Sequence, residues 1–217
     1  MIGGKKQVLL YVYILNNDSG FAPCVQDNWL TLACCKGGIK GGMRMSVTKK
    51  FNEGNTIYLL GLCGKMLNRE TAYSPIYFAK VDEVLDMNDY YADGGRASGR
   101  KDDVYKFVNG ELKPKPNNHH SEYDRAKDVG GRYVLCSHQF TYWGDKCGSS
   151  GFEIENDLIE LFAGIRKRSS VRGHIVYKRQ ELEKAILNWD WFPKQSDRCN
   201  FISKRSIKGD SISRRKC

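Results

Sequence analysis

Hydrophobic residues in the first two-thirds of the chain fall in short runs, each closed by polar or glycine-rich positions. Residues 7–15 (QVLLYVYIL) are β-branched and aromatic and too few for a typical helix, so they predict a buried first strand. Residues 16–20 (NNDSG) end it, because Asn, Asp and Ser side chains bond their own backbone and favour turns. Residues 29–36 (WLTLACCK) fit a short helix or a strand and run into a Gly-Gly-x-Lys-Gly-Gly turn. Residues 56–62 (TIYLLGL) and 76–84 (IYFAKVDEV) predict two more strands around a polar loop holding Cys63, Gly64 and Lys65. A short helical turn is expected at 87–91 (MNDYY), and an exposed loop over the Gly-, Arg- and Asp-rich residues 93–103. Residues 113–120 (KPKPNNHH) predict a second loop with nothing to offer a core. Residues 132–137 (RYVLCS) read as a strand that leads into the aromatic segment 139–144 (QFTYWG).

From Asp157 the period changes. Leu158, Leu161, Phe162 and Ile165 recur at helical spacing, with Asp157 placed to cap. Leu182, Ile186 and Trp189 do the same in a second helix, whose first turn holds Glu181 and Glu183 where the helix dipole favours them. Strands first and helices later predict an α+β fold: a small mixed β-sheet or β-barrel flanked by helices, with two C-terminal helices.

Composition narrows this picture. A hydrophobic fraction of 41% with 12% aromatics excludes a disordered chain, and 217 residues suffice for one sizeable core. We expect a single domain over residues 1–193 and a basic tail over 194–217. No apolar run approaches the ~18 residues of a membrane span. The N-terminal apolar run has no small-residue cleavage site, so a cytoplasmic protein with no membrane partner is expected. The net charge of +10 is uneven: residues 194–217 hold eight Lys/Arg against two Asp. Lys204, Arg205, Lys208, Arg214, Arg215 and Lys216 suit a nucleic-acid backbone, since each neutralised phosphate releases counterions; a solvated tail is the plain alternative.

The eight cysteines are expected as reduced thiols, because a chain of this length needs no staples. There is no CxxC pair. Cys136 and His138 with Cys147, and a fourth ligand from His119 or His120, make an irregular zinc spacing, so neither metal nor cofactor is expected.

Four segments together resemble one family, the nucleotide modification associated domain 2 proteins. They are residues 18–23 (DSGFAP) with 31–36 (TLACCK) and Lys40, then 53–61 (EGNTIYLLG) with 76–83 (IYFAKVDE) and 89–91 (DYY). Next come 131–137 (GRYVLCS) with 140–144 (FTYWG), and last the Arg172-Gly173-His174 step. The chain departs from the family's pattern at Gly54-Asn55-Thr56, where Gly-Asp and a Trp are usual, and at Gly37-Gly38, where a proline is expected. The resemblance implies a domain that reads or processes nucleobases, in a DNA-modification or phage and host-defence setting. It also implies a strand arrangement like the PUA-like β-barrels, which hold a flipped base; fold alone does not fix function.

The residues read independently point the same way. A base pocket needs aromatic faces for stacking and a few polar groups for the base edge. Phe21, Trp29, Tyr142 and Trp143 flank turns or strand ends and could stack; core packing is the plain alternative for each. Asp18, Ser19, Thr31 and Ser137 could meet the base edge, with Asp18 equally able to close an Asx-turn. Lys36 could approach a phosphate, and His174 could contact one or act as a base. Cys34 or Cys35 with His138 or His174 would make a nucleophile–base pair, against which stands the inertness of thiols in apolar stretches. No Walker loop, H-E-x-x-H helix or G-x-S-x-G elbow occurs. The reading is a binding module for DNA carrying modified bases or for a free nucleotide. The alternative is a transferase or hydrolase acting on a base, with Asp18, His138 and His174 as acid–base groups.

Overall fold

The computed structural model describes residues 6–67, 73, 75–117, 120–144 and 173–178. In chain order it runs β1 (Val8–Leu15), β2 (Cys24–Gln26), β3 (Trp29–Leu32), α1 (Gly42–Asn52), β4 (Thr56–Cys63), β5 (Pro75–Lys80) and β6 (Glu83–Asp86). It continues with α2 (Met87–Tyr90), β7 (Tyr105–Val108), β8 (Glu111–Pro114), α3 (Glu122–Val129), β9 (Tyr133–Ser137), β10 (Gln139–Tyr142) and β11 (His174–Tyr177). This is a mixed α+β architecture. The strands form a five-stranded sheet in the order β10-β5-β4-β1-β11, a four-stranded sheet β2-β3-β9-β6 and a β7-β8 ribbon. Among the described residues no sheet closes into a barrel. The two expected C-terminal helices and the basic tail lie outside the described residues.

The chain divides into two compact units. The first takes residues 1–7, 19–57 and 80–139, and holds the four-stranded sheet and the ribbon. The second takes residues 8–18, 58–79 and 140–217, and holds most of the five-stranded sheet. In the second unit β1 and β4 are buried along almost their whole length, which is why their sequences are near-continuous apolar runs.

The first unit shows how local sequence sets the frame. Between β2 and β3, Asp27 and Asn28 both take positive φ (54° and 57°), and Gln26 pairs with Trp29 across the turn. Between β7 and β8, Asn109 and Gly110 do the same (52° and 79°). Two consecutive positive φ values give a tight turn whose twist matches the flanking strands. The core gathers Trp29, Cys34, Tyr90, Tyr91, Tyr105 and Val134.

Several expectations are corrected here. Residues 76–84 are not one strand: β5 and β6 belong to different sheets, separated at Val81 and Asp82. The break has a cause. The Asp82 carboxylate accepts the backbone N–H groups of His138 (2.7 Å) and Gln139 (3.2 Å). Residues 93–103 do form a loop, but Ala97, Arg100 and Asp102 are buried. Residues 113–120 begin in β8 and end at a buried His120. Residues 29–36 resolve as strand β3 followed by a turn.

Candidate functional site

Two buried polar centres lie within the first unit. The first is built on the loop after α2. Arg100 and Asp102 form an ion pair (Nε–Oδ1 3.4 Å) that is almost wholly buried. Asp102 also accepts from the Thr31 hydroxyl (2.6 Å) and from Tyr90 (2.9 Å and 3.1 Å). The remaining guanidinium donors reach the carbonyls of Gln26 and Trp29, the Thr31 hydroxyl and the Cys24 sulfur. Arg100 also lies over the Trp29 ring at 4.6 Å, and His138 stacks on the same indole at 5.8 Å. Burial pushes the Asp102 carboxyl up, while Thr31, Arg100 and Tyr90 pull the other way. Burial, with help from the Asp102 charge, pushes the Cys24 thiol up to about 12.

The second centre stands where β3 ends. Cys34 is fully buried, Cys35 is half-buried, and both Cys35 and Lys36 are left-handed (φ 57° and 53°). That backbone is uncommon for residues with a Cβ and marks a sharp, held turn. It carries the Cys35 sulfur to 3.9 Å from His120 Nε2. The other ring nitrogen of His120 hydrogen-bonds the Asp128 carboxylate on α3. Asp128 is held in turn by the Tyr105 hydroxyl (2.8 Å) and by the Cys35 backbone N–H (3.1 Å). The Phe21 ring packs on the imidazole with centroids 4.7 Å apart. His120 is fixed from behind, since its backbone N–H donates to Asn117 Oδ1 at 2.6 Å.

Arg44, fully buried on α1, braces this centre by donating to the carbonyls of Asp128 and Tyr133. It fits because glycines flank it: a Cβ on Gly37 would fall 2.2 Å from the Lys127 carbonyl and 2.7 Å from Arg44 Nη2. Burial pulls Arg44 down from its usual range, against the attraction of the Asp128 charge. Burial drives the Cys34 thiol well up, reinforced by the Asp128 charge, and Cys34 contacts the Tyr91 hydroxyl at 3.3 Å.

Potential metal-ligand atoms of Cys34, His120 and Asp128 lie within 4.8 Å of one another. Both Asp128 oxygens also accept hydrogen bonds, and Cys35, His120 and Asp128 stand in hydrogen-bonded series. The depression of about 350 Å³ along α3, lined by Glu122, Arg125 and Val129 among others, includes none of these groups.

The sequence-derived candidates are distributed over both units. Phe21 borders the second centre, and Lys36 follows Cys35 at partial exposure. Thr31 is buried with its hydroxyl on Asp102, and the Ser137 hydroxyl is tied to the Gln139 carbonyl at 2.8 Å. Ser19 is exposed in the first unit. In the second unit Asp18 is buried and accepts from the Tyr142 hydroxyl at 2.8 Å. Trp143 is half-buried there, and His174 stacks on Tyr11 at 5.4 Å. The structure pairs Cys35 with His120, where the sequence pointed to His138 and His174. Asp128, Tyr105 and Arg44 were not singled out at all. A signal for Asp128 existed: Ser121 followed three residues later by Asp124 marks a helix start, and Asp128 lies four residues further along that helix.

The first unit thus carries a thiol, an imidazole and a carboxylate in hydrogen-bonded series. The profile of the nucleotide modification associated domain 2 family matches residues 7–195, and the chain belongs to that family. No curated protein and no solved structure matches it. Among the described residues no helix is long and apolar enough to cross a membrane.

Proposed function

We propose that this domain binds a nucleobase or nucleotide at the face of the first unit where Cys35, His120 and Asp128 converge, as part of a nucleotide-modification system. The observation that carries this reading is the convergence itself. Cys35 meets His120 and Asp128 from 85 and 93 positions away, and Cys35 is itself partly exposed. Convergent polar groups set into an apolar wall are the common make-up of ligand sites. Phe21 supplies an apolar face on one side of the imidazole, and Lys36, the next residue after Cys35, is a partly exposed cation suited to a phosphate. DNA with modified bases and free nucleotides are both candidate ligands, with the basic tail on the phosphates in the first case.

Fluorescence anisotropy with matched short duplexes, unmodified and carrying modified cytosine or thymine, tests this across a salt series. Competition by dCMP and dUMP tests the free-nucleotide case. Expected is binding that persists at raised salt and weakens about tenfold in His120→Ala, the loss of one good hydrogen bond. Equal, steeply salt-dependent binding of both duplexes, with no competition by nucleotides, would reduce recognition to charge and overturn the reading.

A further inference from the structure

The binding reading leaves the chemistry of the converged groups unused. Three features favour Cys35 over Cys34 as the reactive sulfur. Cys35 is half-exposed, whereas Cys34 is fully buried. Cys35 lies against His120 Nε2, whereas Cys34 lies against the Tyr91 hydroxyl. Cys35 also sits at a left-handed turn just past the end of β3. Asp128 on Nδ1 places the imidazole proton there and turns the Nε2 lone pair to the sulfur, the arrangement by which a base activates a nucleophile.

The backbone narrows the reaction. Acyl transfer depends on backbone N–H groups aimed at a developing oxyanion, commonly including the one on the nucleophile itself. Here the Cys35 N–H is spent on Asp128 Oδ1 at 3.1 Å. A centre that holds its own amide in this way is better suited to adding sulfur to an electron-poor ring carbon, where the charge spreads over the ring.

Resting on the binding reading above, we propose that Cys35 is a nucleophile that adds to C6 of a pyrimidine nucleotide, with His120 as its base and Asp128 as the residue that positions His120. His120 Nε2 takes the thiol proton and Sγ forms a bond to C6. The C5=C6 π pair moves to C5 and the adjoining C4 carbonyl or imine. C5 takes a proton from solvent, loses its original one, and the pair re-forms the double bond as sulfur leaves. His120 then returns its proton to sulfur. The cycle consumes no oxidant, reductant or co-reactant, and its trace is exchange of the hydrogen on C5.

The test uses the full chain in D2O with dUMP and dCMP as probes, following C5–H by proton NMR, with iodoacetamide labelling and mass mapping in parallel. Expected is C5 deuteration above the buffer rate, abolished in Cys35→Ala and slowed at least about 100-fold in His120→Gln. Cys63→Ala, altered in the second unit, exchanges like wild type. Asp128→Asn, which keeps the acceptor for the Cys35 N–H, moves the pH profile of Cys35 alkylation upward, which a merely structural role would not do. Should the nucleotides bind with no C5 exchange, the addition is refuted and the binding reading stands. If they fail to bind as well, the free-nucleotide form of that reading falls with it, and the duplex titrations decide the DNA form. Should Cys35 alkylate at the pH and rate of an ordinary exposed thiol in both wild type and His120→Gln, the relay itself is refuted.

Discussion

The two polar centres of the first unit are made of similar parts and arranged to opposite ends. Around Arg100 and Asp102 both charges are internal, their donors and acceptors meet one another, and the ring of Trp29 closes over the guanidinium. Around Cys35, His120 and Asp128 the carboxylate is equally well held, but the series of bonds runs outward to a partly exposed cysteine. One is a closed knot and the other an open line. Buried ion pairs are costly to break and give little chemistry, because nothing can approach them. On the proposed reading the first centre gives stability, and the second, which ends at a partly exposed residue, gives chemistry.

The sharpest way to break the contrast is Asp102→Ala, which leaves Arg100 buried without its counter-charge. We expect a loss of about 3–5 kcal/mol in urea unfolding, enough to threaten folding at this chain length. A midpoint close to wild type would mean that the knot holds nothing together.

At the open line the same kind of change should read differently. His120→Gln is expected to cost about 1–2 kcal/mol of stability, the loss of one buried hydrogen bond. It should also slow iodoacetamide modification of Cys35 about tenfold or more. Cys34 should stay unmodified in both proteins, since burial holds its thiol well up. Labelling of Cys34 at the rate of Cys35 would erase the distinction between the neighbours.

The smallest effect lies at the start of α3, which carries Asp128. Burial alone would raise the Asp124 carboxyl, but the Ser121 N–H (3.1 Å) and hydroxyl (3.0 Å) hold it below its ordinary value, aided by His120 and Lys127. A depressed carboxyl contributes stability above its unfolded pKa and loses it as pH falls through the folded one. Asp124→Asn should therefore cost about 0.5–1 kcal/mol at neutral pH, and the gap to wild type should close in acid. A gap that stayed constant with pH would assign the effect to something other than this charge.

Where the chain buries apolar side chains, its pattern was readable. The runs at 7–15 and 56–62 became β1 and β4 because a strand covered on both faces must be apolar throughout. The chemistry was harder to see, because its residues sit in stretches whose composition says surface. Arg100 and Asp102 lie in a Gly-, Arg- and Asp-rich loop, and His120 ends a Lys-, Pro- and Asn-rich one. Their remaining partners lie far along the chain, Thr31 for Asp102 at 71 positions and Cys35 for His120 at 85, and such pairing leaves no local period. Helix α1 was missed for a related reason: its sequence has no apolar stripe, and its buried face includes Arg44 and Thr48. The β7-β8 ribbon was legible, since Asn109-Gly110 is the strongest short hairpin signal there is, but its flanks are too short and too polar to draw notice.

The interleaving of the two units has a genetic consequence. Each is assembled from three stretches that alternate along the chain, with crossings near residues 7, 18, 57, 79 and 139. No single cut in the coding sequence delivers both units whole. Recombination or domain fusion therefore cannot trade the unit that holds Cys35 as a cassette while leaving the other intact, so the two must be inherited, and must diverge, as one piece.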